Sequence, residues 1–114
     1  MIEDPVVIIG ASRTPLGGFG GDLAPLSAPE LGAVAISDAI TKSGIKITDV
    51  NEVIMGLVLP AGQGQAPARQ ASIGAGIPKA VGATTINKMC GSGMKAAMFA
   101  HDNILSGTHE IMVA

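Results

Sequence analysis

Cys90 is the only cysteine in the chain and lies in Met89-Cys90-Gly91-Ser92-Gly93-Met94-Lys95, between a β-branched run and a helical one. A lone Cys is usually a small buried hydrophobe. Three local features point to a nucleophile instead. The residue falls at a strand-to-helix junction, where a side chain projects from a tight turn. The backbone N–H groups that follow form a helix N-terminus, whose partial positive charge favours thiolate over thiol. Gly91 and Gly93 take side chains away from the sulfur, so a substrate carbonyl can approach, and the Cys90 N–H is placed to help hold an oxyanion. These are the mechanics of a nucleophile elbow, although the GxSxG sequence is absent.

The other candidates carry less chemistry. Gly10-Ala11-Ser12 follows an apolar run but lacks GxGxxG spacing, and Gly17-Gly18-Phe19-Gly20-Gly21 lacks the Gly-Lys-Ser/Thr ending of a phosphate-binding loop. Both read as turning backbone. His101 and His109 have no Cys, His or paired carboxylates around them at metal-ligand spacing, so no metal site is assigned. His101 falls on the apolar face of a helix as a packing residue, and His109 in the turn before the last strand. Asp38, Asp49, Glu52 and Asp102 take helix or turn positions typical of solvated faces, which argues against an acid/base dyad.

Elements must position Cys90, and the pattern supplies them. Val6-Val7-Ile8-Ile9 reads as a strand buried on both faces. Residues 10–26 form a loop. Ser27 and Glu30 have capping-box spacing, Pro29 suits a first helical turn, and Gly44 supplies a stop. Between them Leu31, Val34, Ala35 and Ala39, widened by Ile36 and Ile40, form one apolar face. A second buried strand covers residues 53–59. A helix starts near Pro67 and is closed by Pro78, and a third strand covers residues 83–89. The next helix spans residues 91–106, with Met94, Ala97, Met98, His101 and Leu105 at helical spacing. Residues 110–114 begin a fourth strand, and the chain ends inside it, which suggests a truncated domain. Strands alternating with helices predict an α/β layer around a mostly parallel sheet.

Composition narrows the class. Of 114 residues, 47% are hydrophobic and only 14% charged, against a usual charged share of about 25%. Sixteen glycines and just two aromatics, Phe19 and Phe99, suit elements packed closely on more than one side. The net charge of −2 and the scattered basic residues exclude a nucleic-acid stripe. No apolar run approaches the roughly 20 residues that span a bilayer, so no membrane partner is expected. Met1-Ile2-Glu3-Asp4-Pro5 has neither the head of a secretory signal nor the Arg-rich character of a transit peptide. A single Cys forms no intrachain disulfide, and the expected compartment is a reducing cytoplasm.

The segment from Thr84 to Ala96, Thr-Thr-Ile-Asn-Lys-Met-Cys-Gly-Ser-Gly-Met-Lys-Ala, resembles the active-site segment of thiolases, the acetyl-CoA acetyltransferases. Val7-Ile8-Ile9-Gly10-Ala11-Ser12-Arg13-Thr14-Pro15 resembles the opening strand of that family and its Arg-Thr-Pro turn. Gly62-Gln63-Gly64-Gln65-Ala66-Pro67-Ala68-Arg69-Gln70-Ala71 resembles its second loop and helix. One departure is Ala66, where relatives often carry Asn; Ala is a poor N-cap.

The resemblance implies the N-terminal half of a thiolase-type first domain over residues 1–114, with a mixed sheet and the Cys90 helix buried between layers. It implies acyl transfer through an acyl-Cys90 intermediate, forming or cleaving short-chain 3-ketoacyl-CoA such as acetoacetyl-CoA. Acetyl-CoA and other acyl-CoA thioesters are then substrates, and no cofactor is required. In the family a His base, a second Cys and the CoA-binding loop come from the C-terminal part, so the 114-residue chain by itself is expected to be inactive. A homodimer or homotetramer is implied for the full-length protein. Arg69 and Gln70 are given packing or subunit-contact roles, Asn87 and Lys88 structural ones, and Met89 and Met94 core or pocket lining. Two alternatives stay open: a ketoacyl synthase-type condensing enzyme, and a non-catalytic thiolase-like protein that binds acyl-CoA or lipid.

Overall fold

In the computed structural model, which describes residues 3–114, helix α1 (Ala28–Ser43) starts where the capping signals place it. Met1 and Ile2, at the head of the acidic opening stretch, lie outside the described residues. The Ser27 hydroxyl accepts from the Glu30 N–H at 3.3 Å, and Glu30 Oε2 accepts from the Ser27 N–H at 2.7 Å. That backbone hydrogen bond holds the Glu30 carboxyl below the usual carboxylate range. Gly44 ends the helix at φ 75°, a left-handed conformation open to glycine. The buried stripe is rotated from the expected one: Ile36 and Ile40 are buried, whereas Val34 is 62% exposed.

Three strands form a sheet in the order β2-β1-β3: β1 (Glu52–Gly56), β2 (Gly82–Ile86) and β3 (Met112–Val113). Both pairings are parallel, with Ile54 opposite Thr84 and Val53 opposite Val113. The strands are shorter than the apolar runs suggest, because pairing stops where the chain turns toward the site. Asn51 sets the register of β3, its side-chain oxygen accepting from Glu110 and Ile111 N–H at 3.0 and 2.9 Å. Beside it His109 Nε2 meets Glu52 Oε2 at 2.8 Å, both half-buried. Glu52 is therefore a paired group at the start of the central strand rather than the solvated one expected. Ile36, Ile40, Val50, Val53, Ala71 and Ile77 make the core between α1, α2 and the sheet.

Val6-Val7-Ile8-Ile9 does not become a strand in this structure. It is extended but unpaired, with Ile8 89% exposed, because no described strand lies against it. An apolar cavity of about 620 Å³ separates the segment from β3, with Ile36, Ile40, Ala97 and Ala100 among its lining. Polar contacts hold the segment at its ends. Ser12 Oγ donates to Asp38 at 2.6 Å, and Gly10 lies against the Ala39 carbonyl so closely that a Cβ would collide with it. At the other end His101 Nε2 meets Asp4 Oδ2 at 2.8 Å, and His101 Nδ1 meets Asp102 at 3.2 Å. His101 is thus a surface clasp, not the packing residue expected.

The clasp has a pH signature. Hydrogen bonds to Asp102 and then Asp4 raise the His101 pKa above its ordinary 6.5. Its contribution is full below that value and is lost as pH rises through the raised one. The Val6 N–H and then His101 lower the Asp4 pKa from 3.8, so its contribution is lost as pH falls through the lowered value. The clasp should therefore be tightest between 3.8 and 6.5. Asp102→Asn and Asp4→Asn are each expected to lower the His101 titration midpoint read by NMR; unchanged midpoints in both would refute the clasp.

Helix α2 (Pro67–Gly74) packs on α1 through small residues: a Cβ on Gly32 would stand 3.1 Å from Ala71 Cβ, and one on Gly74 3.1 Å from Ala33 Cβ. Its N-cap, Ala66, has φ 48° and provides no side-chain hydrogen bond. Left-handed backbone costs an L-residue about 1–2 kcal/mol, and Asn tolerates it best after glycine. Ala66→Asn is accordingly expected to stabilise the protein by about 0.5–1 kcal/mol, read as a higher denaturation midpoint. A midpoint at or below that of the parent would count against strain at this residue.

Candidate active site

Helix α3 (Ser92–Leu105) begins one residue later than the pattern suggests, with Gly91 as its N-cap. Cys90 precedes the cap, exposed and unbridged. Backbone and side-chain bonds shape the turn that carries it. Gly91 N–H donates to the Lys88 carbonyl at 3.0 Å, and Ser92 N–H to the Met89 carbonyl at 3.1 Å. The Ser92 hydroxyl donates to the same Met89 carbonyl at 2.6 Å and accepts from the Lys88 N–H at 2.9 Å. Asn87 Oδ1 accepts from the Met89 N–H at 2.9 Å, and Asn87 Nδ2 donates to the Val58 carbonyl at 3.1 Å. Within this net Met89 takes φ 47°, left-handed although not glycine. Cys90 is thereby lifted to the apex, and its own N–H enters no hydrogen bond among the described residues.

The turn is seated from below by β1. A Cβ on Gly56 would overlap the Ser92 carbonyl group and lie 2.6 Å from Gly93 N. The start of α3 therefore rests directly on strand backbone, and the buried face of the helix is made of small residues, Ser92, Ala96 and Ala100. The expected face of Met94, Ala97, Met98, His101 and Leu105 points the other way; Met94 is 72% exposed. Met89 is exposed as well, so neither methionine is core in this structure. A helix this close to a sheet admits only short side chains beneath it, which is why the large apolar residues are turned outward.

The neighbouring loop is stitched to the same frame. Gln70 Nε2 donates to the Gln63 and Gln65 carbonyls, both at 2.8 Å, and Gln63 Oε1 accepts from Ala28 N–H at 2.9 Å. Thr85 Oγ1 accepts from Ala68 N–H at 3.0 Å, satisfying an orphan donor at the start of α2. Arg69 donates to the Lys79 carbonyl at 3.3 Å, a packing role like the one expected. The apolar cavity behind residues 6–9 does not include Cys90 in its lining. Among the described residues no His, Cys, Asp or Glu cluster has metal-ligand grouping, and no helix is long and apolar enough to cross a membrane.

Cys90 thus sits on an exposed apex between a parallel strand and a helix, in an α/β layer. The family match covers nearly the whole chain: residues 6–114 match the thiolase N-terminal domain, and the chain belongs to that family. It is 59% identical over 109 residues to an acetyl-CoA acetyltransferase of Cupriavidus necator, covering 96% of this chain and 28% of the relative. It is 54% identical to a mitochondrial acetyl-CoA acetyltransferase of Danio rerio (96% of this chain, 26% of the relative). An acetyl-CoA acetyltransferase of Schizosaccharomyces pombe is 48% identical over all 114 residues, which cover 29% of it. The chain therefore spans little more than a quarter of the length of these curated relatives.

Proposed function

We propose that the full-length protein carrying this chain is an acyl-CoA acyltransfer enzyme of the thiolase type, with Cys90 as the residue that accepts the acyl group. The observation that carries the proposal is the exposed Cys90 thiol on a hydrogen-bonded apex, its N–H unengaged and glycines on the following side. A thiolate there attacks the thioester carbonyl. The tetrahedral oxyanion collapses, the acyl group stays on Cys90 sulfur, and the coenzyme A thiolate leaves and takes up a proton. A carbanion from a second acetyl-CoA then displaces Cys90 and forms the 3-ketoacyl-CoA; the reverse direction is thiolysis.

Acetyl-CoA is the simplest substrate for this chemistry, in keeping with the names of the relatives. Both partners are thioester substrates, so the step needs no cofactor. The proton acceptor for Cys90 lies outside residues 3–114 in this reading, since His101 and His109 are engaged with Asp4, Asp102 and Glu52. Exposed Leu16, Phe19 and Ile8 call for cover, consistent with further chain and with a homodimer or homotetramer. A cytoplasmic setting would keep the thiol reduced.

The test is to mix the full-length protein with acetyl-CoA, quench, and map the adduct by mass spectrometry. A single acetyl group on the peptide containing Cys90, lost on adding coenzyme A, is expected. An active protein acetylated elsewhere, or nowhere, would sink the assignment.

A further inference from the structure

We infer that the Ser92 hydroxyl is a positioning group for the Cys90 sulfur, an inference that rests on Cys90 being the nucleophile. Ser92 is 2% exposed, yet its hydroxyl uses both of its hydrogen-bonding senses on the two residues just before the nucleophile. It accepts from Lys88 N–H and donates to the Met89 carbonyl, closing a ring around the apex from its buried side. Serine hydroxyls commonly bond backbone groups three or four residues earlier in the chain. Here the hydroxyl reaches back out of the helix to a left-handed, non-glycine residue.

Left-handed backbone is strained for Met and persists only where its surroundings over-determine it. Three bonds do so: Asn87 Oδ1 on the Met89 N–H, and the Ser92 hydroxyl and N–H on the Met89 carbonyl. The Asn87 bond is exposed, where water competes with it, whereas Ser92 itself is buried. Removing that hydroxyl strips Lys88 N–H of its acceptor and halves the hold on the Met89 carbonyl. The relaxed turn re-aims Cys90 relative to a bound thioester while leaving the binding surface in place.

The experiment is a kinetic cycle in the full-length protein. Ser92→Ala is expected to slow acyl-Cys90 formation and kcat by about 10–100-fold with KM changed less than about twofold, the cost of a misplacement of about 1 Å. Met89→Asn lowers the cost of the left-handed conformation, so in its background Ser92→Ala should cost less than about fivefold. A rate for Ser92→Ala within about twofold of wild type, or an equal loss in both backgrounds, overturns the inference. If Ser92→Ala does not fold alone, the double variant decides by the same fivefold criterion. Failure of both to fold also overturns it, since the hydroxyl is then a requirement of folding. Acetyl mapping on the wild type separates the two readings. Without an adduct on Cys90 the nucleophile assignment falls and takes this inference with it; an adduct with an unperturbed Ser92→Ala rate removes this inference alone.

Discussion

Replacing Cys90 with Ala in the full-length protein is expected to lower turnover by at least about 10⁴-fold, the scale seen when a nucleophile that acts as part of a unit is removed. The thiol is exposed, so stability should stay within about 0.5 kcal/mol. That combination is what separates a nucleophile from a structural Cys. Cys90→Ser keeps the shape and a hydroxyl, but an alcohol is a far weaker nucleophile than a thiolate near neutral pH. It is expected to bind acetyl-CoA with KM little changed while showing no burst of coenzyme A release. Iodoacetamide should inactivate the parent protein, and acetyl-CoA should slow that inactivation by occupying the sulfur. Either variant turning over at the parent rate would remove Cys90 from the mechanism.

What could be read from the residues depended on how local the cause was. Helix α1 was legible because its signals lie within its own sequence: Ser27 and Glu30 reach each other across one turn, and Gly44 ends it by its own backbone freedom. The place of Cys90 on a strand-to-helix turn was legible for the same reason, since a β-branched run, a lone Cys and a glycine-flanked helix start are adjacent in the chain. The buried face of α3 was not. Helical spacing finds two faces there, one of large apolar residues and one of Ser92, Ala96 and Ala100, and ordinary hydrophobicity selects the first. The choice is made by β1, about forty residues away in the chain, whose Gly56 lets the helix come too close for large side chains. Val6-Val7-Ile8-Ile9 failed as a strand for a related reason. A strand exists only with a partner, and apolar β-branched composition states a need for one without supplying it. The His109–Glu52 pair is equally non-local, since nothing near either residue in the chain announces the other.

Gly56→Ala is the substitution that tests this dependence on distant contact. The added methyl would overlap backbone atoms of Ser92 and Gly93, and backbone at a helix start cannot swing aside as a side chain can. Either the helix lifts or β1 bends. Overpacking of this kind costs about 1–3 kcal/mol or more, so the midpoint for unfolding should fall clearly. Gly93→Ala gives the contrast: a Cβ there meets nothing within 4 Å, and replacing a helical glycine should be neutral or stabilising by up to about 1 kcal/mol. If generic glycine replacement were the cause, the two variants would resemble each other. The catalytic consequence follows from the same geometry. Ser92 and Gly93 are the residues displaced, and the Ser92 hydroxyl holds the turn at residues 88–92 that lifts Cys90. A displacement of about 1 Å there is worth about 10²-fold in rate. Gly56→Ala should therefore lose both stability and kcat, with KM affected least, although residue 56 itself carries no side chain and no chemistry. A variant that keeps the parent stability and kcat would mean that α3 does not rest on β1 as the structure places it.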